Sequence, residues 1–146
     1  MSGSSDGGRV AGSAAGAAAA VHGAARPNPK DFTAKTDLRD IRFEFDSYEI
    51  RAEDAQVLDQ NADLMKANPG WQILVEGHAD QRGTSDYNLA LSERRAKASM
   101  HYLVSRGVRA NRISVISYGK ERPICSDASE DCWSQNRRAH FAVKAK

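Results

Sequence analysis

The chain has 146 residues, 40% of them hydrophobic and 27% charged, which suits one domain with a modest core and a tail. Lys and Arg number 21 against 19 Asp and Glu, a net charge of +2, so the dense basic surface of a nucleic-acid binder is not expected. No apolar run approaches the roughly 20 residues needed to cross a bilayer, which argues for a soluble body.

The first 29 residues, MSGSSDGGRVAGSAAGAAAAVHGAARPNP, are almost entirely Gly, Ala, Ser and Pro. Such a segment cannot bury enough apolar surface to offset the entropy of ordering, so residues 1–35 are expected to form a flexible tail or linker, with transient helix around Ala14–Ala20. As a secretory signal it is weak: Asp6 sits in the front part, and the middle lacks Leu, Ile and Phe. The ordered domain is expected over residues 36–146.

DIRFEFD alternates Ile41, Phe43 and Phe45 with Arg42, Glu44 and Asp46, the period of a half-buried strand. Ala52 to Asn68 reads as a helix whose Val57, Leu58, Leu64 and Met65 share one face; Asn68-Pro69-Gly70 stops it. WQILVEG (Trp71–Gly77) is apolar enough for a central strand. A turn over His78–Gly83 leads into a long helix from about Ser85 to Arg106, stopped by Gly107. ISVISYG (Ile113–Gly119) and RRAHFAVK (Arg137–Lys144) are further strands, joined by a loop of about 16 residues. The order β-α-β-α-β-β predicts an α/β (α+β) two-layer sandwich, with a mixed four-stranded sheet and two main helices on one face. Neither a Gly-rich phosphate loop nor an internal repeat is present, so no nucleotide site or other cofactor is expected.

The final loop holds the only cysteines, Cys125 and Cys132, in CSDASEDC. Two ligands short of a structural zinc site, they read as a disulfide, with a pair of free thiols as the alternative and a metal site disfavoured. A disulfide implies an oxidising compartment.

In the stretch GHADQRGTSDYNLALSERRA, Thr84 or Ser85 can cap the second helix. At 100° per residue, Asn88, Leu91 and Arg95 lie within about 60° of each other, while Leu89, Ala96, Met100 and Leu103 form the core face. The polar stripe is therefore expected to flank the core. Asp80 lies in the turn beyond a strand's C-terminal end, where α/β sheets commonly bind ligands. An Asp and an Arg on one rim have two readings: a simple surface ion pair, or a grip on the ammonium and carboxylate of an amino-acid end. A third reading, His78 with Asp80 as a metal or acid–base pair in a hydrolase, has too few ligands for catalytic zinc; His78 reads better as a satisfied buried histidine.

FEFDSYEI, VEGHADQRGTSDYNLALSERRA, YLVSRGVRANRISVISYGKERPIC and CWSQNRRAHFAVK together resemble OmpA-like peptidoglycan-binding domains over about Asp40 to Lys144. The similarity is greatest to the lipid-anchored branch that works with TolB in the Tol–Pal system. The resemblance implies non-enzymatic binding of the meso-diaminopimelate in wall stem peptides, in the periplasm at the outer membrane. Residue by residue, it implies ligand roles for Asp80, Arg95, Leu91 and Asn88, for Phe45 and Asp46 in the loop after the first strand, and more weakly for Thr84. It also implies a TolB-like partner competing for the same face. Lipid anchoring is expected from the resemblance alone, since the chain as written lacks the acceptor cysteine of that branch.

Overall fold

A computed structural model describes residues 20–22 and 27–145. Its elements in chain order are β1 (Ala20–His22), a 3-10 turn (Pro29–Asp31), β2 (Thr33–Ala34), β3 (Ile41–Arg42), α1 (Ala52–Ala67), β4 (Trp71–His78) and α2 (Ser85–Ser105). A second 3-10 turn (Ala110–Arg112), β5 (Ile113–Gly119), α3 (Glu130–Asn136) and β6 (Arg138–Ala145) complete it. The sheet runs β1-β5-β4-β6-β2, with β3 pairing along the same edge of β6 as β2. β4 and β5 are parallel, joined through α2; β6 lies antiparallel to β4. The mixed sheet and the two main helices are as expected.

Three details differ. The first strand is only two residues long, because after Phe43, whose N–H donates to Arg137 O at 2.9 Å, the chain turns away through Asp46 at φ 57°. Phe45 is consequently 59% exposed rather than continuing the buried row of Ile41 and Phe43. The expected tail reaches the sheet: β1 pairs with β5 and β2 with β6, the rest of residues 1–26 lying outside the described residues, as does most of the expected transient helix. The loop before β6 contains a helix, α3. Ser129 caps it by accepting the Cys132 N–H, and Glu130 and Asp131 fall in its first turn, where the helix dipole favours acids.

The main core lies between the sheet and the two long helices. Ile73 and Val75 of β4, Ile113 and Val115 of β5, and Phe141 and Val143 of β6 meet Leu58, Met65, Ala96 and Leu103 from the helices. Alternate residues form a smaller apolar cluster on the opposite face: Leu74, Ile116, Tyr118 and Ala142, with Phe32 packed against them. α2 lies unusually close to β4 at Gly77, where a Cβ would stand 1.9 Å from Ser92 O and 3.2 Å from the Ala96 Cβ. The backbones cannot separate without opening the core. Gly77→Ala is expected to cost about 3 kcal/mol or more, read as a fall in the urea midpoint; an unchanged midpoint would contradict this packing.

Arginines bind segments together from inside. Arg112 donates to Trp71 O at 3.0 Å and, through Nη2, to Met65 O and Asn68 O at 2.9 and 2.8 Å, satisfying carbonyls at the α1 C-terminus. Cys125 and Cys132 form a disulfide. Asn136 reinforces the loop by accepting from the Ile124 and Cys125 N–H groups at 2.8 and 3.2 Å and donating to Cys125 O at 2.8 Å. By loop closure alone such a bond contributes roughly 2–3 kcal/mol.

Candidate functional site

β4 ends at His78, and the chain passes through Ala79 and Asp80 into the turn before α2. The Asp80 carboxylate is buried and held from two sides. Its Oδ1 accepts the Arg82 backbone N–H at 3.0 Å, the local turn that an Asp makes with its own backbone two residues on. The Arg82 guanidinium adds bonds of 3.3 Å from Nε to Oδ1 and 2.7 Å from Nη2 to Oδ2, and Arg137 Nη1 reaches Oδ2 at 3.4 Å. Burial pushes the Asp80 carboxyl up, but the Arg82 and Arg137 bonds outweigh it and hold it below the usual carboxylate range. Asp80 is therefore ionised at neutral pH.

The Arg82 guanidinium is itself sandwiched, its Cζ 4.1 Å from the Phe45 ring centre and 4.1 Å from that of Trp133. Asn88 Nδ2 donates to Arg82 O at 2.6 Å and so closes the turn. Thr84 caps α2, its Oγ1 accepting the Tyr87 N–H at 3.1 Å.

Arg95 is 0% exposed. Its Nε donates to Ser47 O at 2.8 Å, Nη1 to His78 O at 3.0 Å and Nη2 to Glu44 O at 3.1 Å. Burial, and secondarily the charge of Arg137, pull its pKa down to about 10, so it stays cationic at neutral pH. The expected stripe therefore points inward. The loop between β3 and α1 is bonded to Arg95, the turn after Asp80 closes on Asn88, and both are buried together with Leu91. Arg95 ties that loop to the end of β4.

A cleft of about 100 Å³ opens between this loop, the Asp80 turn and the start of α2. Phe45, Asp46, Asp80, Asn88, Leu91 and Arg95 all line it, so six of the seven residues singled out in the sequence share one space. Thr84 stands outside the lining. Asp80 and Arg95 have separate partners and are not paired with each other. His78 belongs to other contacts: its Nε2 lies 3.3 Å from Glu76 Oε1 and its ring stacks on Tyr118. Burial lowers the His78 pKa against the opposing bond from Glu76, leaving a neutral ring at neutral pH.

Arg82, Trp133, Glu130 and Arg137 went unrecognised in the sequence. The Asp-x-Arg spacing of Asp80 and Arg82 within a turn was a usable signal. Glu130, Trp133 and Arg137 carried none, because they lie 50 or more positions from Asp80: Arg137 Nη2 bonds Glu130 Oε2 at 2.8 Å while Nη1 reaches Asp80.

The OmpA family model matches residues 42–137, and the chain belongs to the OmpA family. Within it, the chain is similar to peptidoglycan-associated lipoproteins. That of Rhizobium meliloti (strain 1021) is 53% identical over 120 residues, covering 80% of this chain and 66% of that relative, so the match spans about two thirds of its length. The peptidoglycan-associated lipoprotein of Brucella melitensis biotype 1 is 50% identical over 118 residues, covering 80% of this chain and 70% of its own. Among solved structures, the peptidoglycan-associated lipoprotein from Burkholderia pseudomallei superposes with a TM-score of 0.70 at 40% identity, over 73% of this chain and 90% of that one. The C-terminal domain of Helicobacter pylori MotB shares the fold, with a TM-score of 0.70 at 24% identity.

Proposed function

We propose that this domain binds peptidoglycan without chemical turnover, through the meso-diaminopimelate of its stem peptides. The observation that carries this reading is the single cleft shared by an ionised Asp80 and a cationic Arg95 that do not pair with one another. A free amino-acid end offers an ammonium to the first and a carboxylate to the second. Arg95 uses three of the five N–H groups of its guanidinium on carbonyls, which fixes its positive charge against the cleft it lines. Leu91 supplies an apolar wall for the methylene chain between the ligand's charged ends. Charge-assisted bonds contribute about 1.5–3 kcal/mol each, and immobilisation offsets much of that, so a single stem should bind modestly. A wall presenting many stems converts this into firm but reversible attachment.

The relatives' name, peptidoglycan-associated lipoprotein, supports a lipid-anchored chain held at the cell wall; the fuller proposal is a periplasmic protein at the outer membrane, working in a Tol–Pal system. Among the described residues no helix is long and apolar enough to cross a membrane. A second reading, a protein-interaction module for a TolB-like partner, is favoured by the aromatic rim of the cleft. Phe45 and Tyr87 of its lining are 59% and 51% exposed, and such side chains anchor protein interfaces. The two readings place both occupants on one face, so they would compete.

The test is co-sedimentation. The protein is expected to pellet with insoluble peptidoglycan and to be released by free diaminopimelate, with no soluble muropeptides formed. Protein that stays in the supernatant while binding a TolB-like partner would favour the second reading. Muropeptide release that stops on His78→Ala would favour a hydrolase instead.

A further inference from the structure

α3 carries no residue of the cleft lining, yet it and its C-cap reach Asp80 twice, through Arg137 on Oδ2 and through Trp133 on the Arg82 guanidinium. Glu130 and Trp133 are three positions apart and Arg137 four further on, the spacing of one helix face. Trp133 covers one side of the Arg82 guanidinium; Arg137 bonds Asp80 Oδ2, Glu130 and, through Nε at 2.8 Å, Phe43 O. The disulfide and the three bonds of Asn136 fix where this face stands. A long arginine side chain loses rotamer freedom when it is held on a carboxylate, and an aromatic ring on each side offsets that loss.

We propose that Trp133 is a positioning residue for the wall site: by stacking on Arg82 it keeps that guanidinium on Asp80, and so sets the affinity for a diaminopimelate end without touching it. This rests on the wall-binding reading above for the affinity, though not for the state of Asp80. Without the Trp133 ring, Arg82 keeps only the Phe45 face, and its hold on the carboxylate loosens. The charged groups around Asp80 are Arg82 from its own turn, Arg95 from α2, Glu130 from α3, Arg137 from its C-cap, and, through Arg95, Asp46 from the β3–α1 loop. Only Arg82 is held by Trp133. Since Arg82 lowers the Asp80 pKa, releasing it must raise that pKa, and protonation then removes the ammonium partner at a higher pH.

The experiment compares wild type, Trp133→Ala and Trp133→Phe in two measurements on the full chain. The first is NMR titration of the Asp80 side-chain carboxyl without ligand; the second is calorimetric binding of a soluble stem peptide containing meso-diaminopimelate, across the acid range. Trp133→Ala is expected to move the Asp80 titration upward towards the ordinary carboxylate value, which leaves Asp80 ionised at neutral pH and weakens binding in the acid range, where the variant is protonated first. The pH at which binding is half lost should rise in parallel, and Trp133→Phe should restore most of both. If Trp133→Ala does not fold, Trp133→Leu fills the space without a π face and carries the same expectations. An Asp80 titration unmoved by the substitution overturns the proposal, whether or not binding falls. A wild-type protein that fails to bind the peptide overturns the wall reading instead, while the titration still decides what Trp133 does.

Discussion

Asp80→Asn is expected to abolish retention on peptidoglycan at neutral pH while leaving the fold intact. Asparagine keeps the acceptor for the Arg82 backbone N–H and the volume of the side chain, so the turn into α2 should persist. What disappears is the negative charge on which a ligand ammonium would rest, and with it the partner of two arginines. Removing one member of a buried charged pair costs about 2–5 kcal/mol, so affinity for a stem peptide should fall by at least about thirtyfold. Calorimetry gives the affinity and circular dichroism the fold; wall binding within a factor of about three of wild type would remove Asp80 from the site. The same group gives a sign for pH. Its folded pKa is depressed, so the stability it contributes is present above the unfolded carboxylate pKa and is lost as pH falls through the folded value. Binding should fail over the same acid range.

Arg95→Ala should fail in a different way. The side chain is wholly buried and serves three carbonyls drawn from residues 44, 47 and 78. Without it those acceptors lose their donor and a cavity opens beneath the loop that carries Phe45 and Asp46. A loss of about 3–5 kcal/mol in unfolding free energy is expected. Arg95→Lys should recover only part of it, since one ammonium cannot span three diverging acceptors with the guanidinium's planar fork. Urea denaturation measures this. If Arg95→Ala unfolds at the wild-type midpoint and merely loses wall binding, Arg95 is a ligand contact alone. If it is destabilised as expected, its binding defect reflects the collapse of the loop as well as any lost contact. Arg95 is thus a poor probe of binding, and Asp80 a good one.

Both results bear on how the cleft is built. The acid is held by arginines that lie outside the amino-acid grip imagined from the sequence, and the arginine of that grip is largely consumed in holding the backbone. The cleft nonetheless contains both charges, because the loop after β3 folds across α2 and stops short of sealing it. Phe45 illustrates the trade. Alternation placed it in the core, but the turn at Asp46 carries it outward, where it stacks on Arg82 at the mouth of the site.

The amino-acid sequence by itself determined the long elements and their order, since periodicity and Gly, Pro and cap residues act over a few positions. α1, β4, α2, β5 and β6 all begin and end within a residue or two of where those local signals fall. It also placed Asn88, Leu91 and Arg95 on one stripe and Asp80 beside it, because helical angle is a local property. Only the tertiary structure decided what covers that stripe and whom each charge serves. Arg82, Arg95, Arg112 and Arg137 are alike as letters, yet two hold a carboxylate and three hold backbone carbonyls, Arg137 doing both. Their partners lie up to 94 positions away, and the energy of a buried guanidinium depends on which acceptors the fold brings within about 3 Å. Helical geometry specifies the direction in which a side chain leaves its own element; the segment waiting there is chosen by the packing of the whole chain.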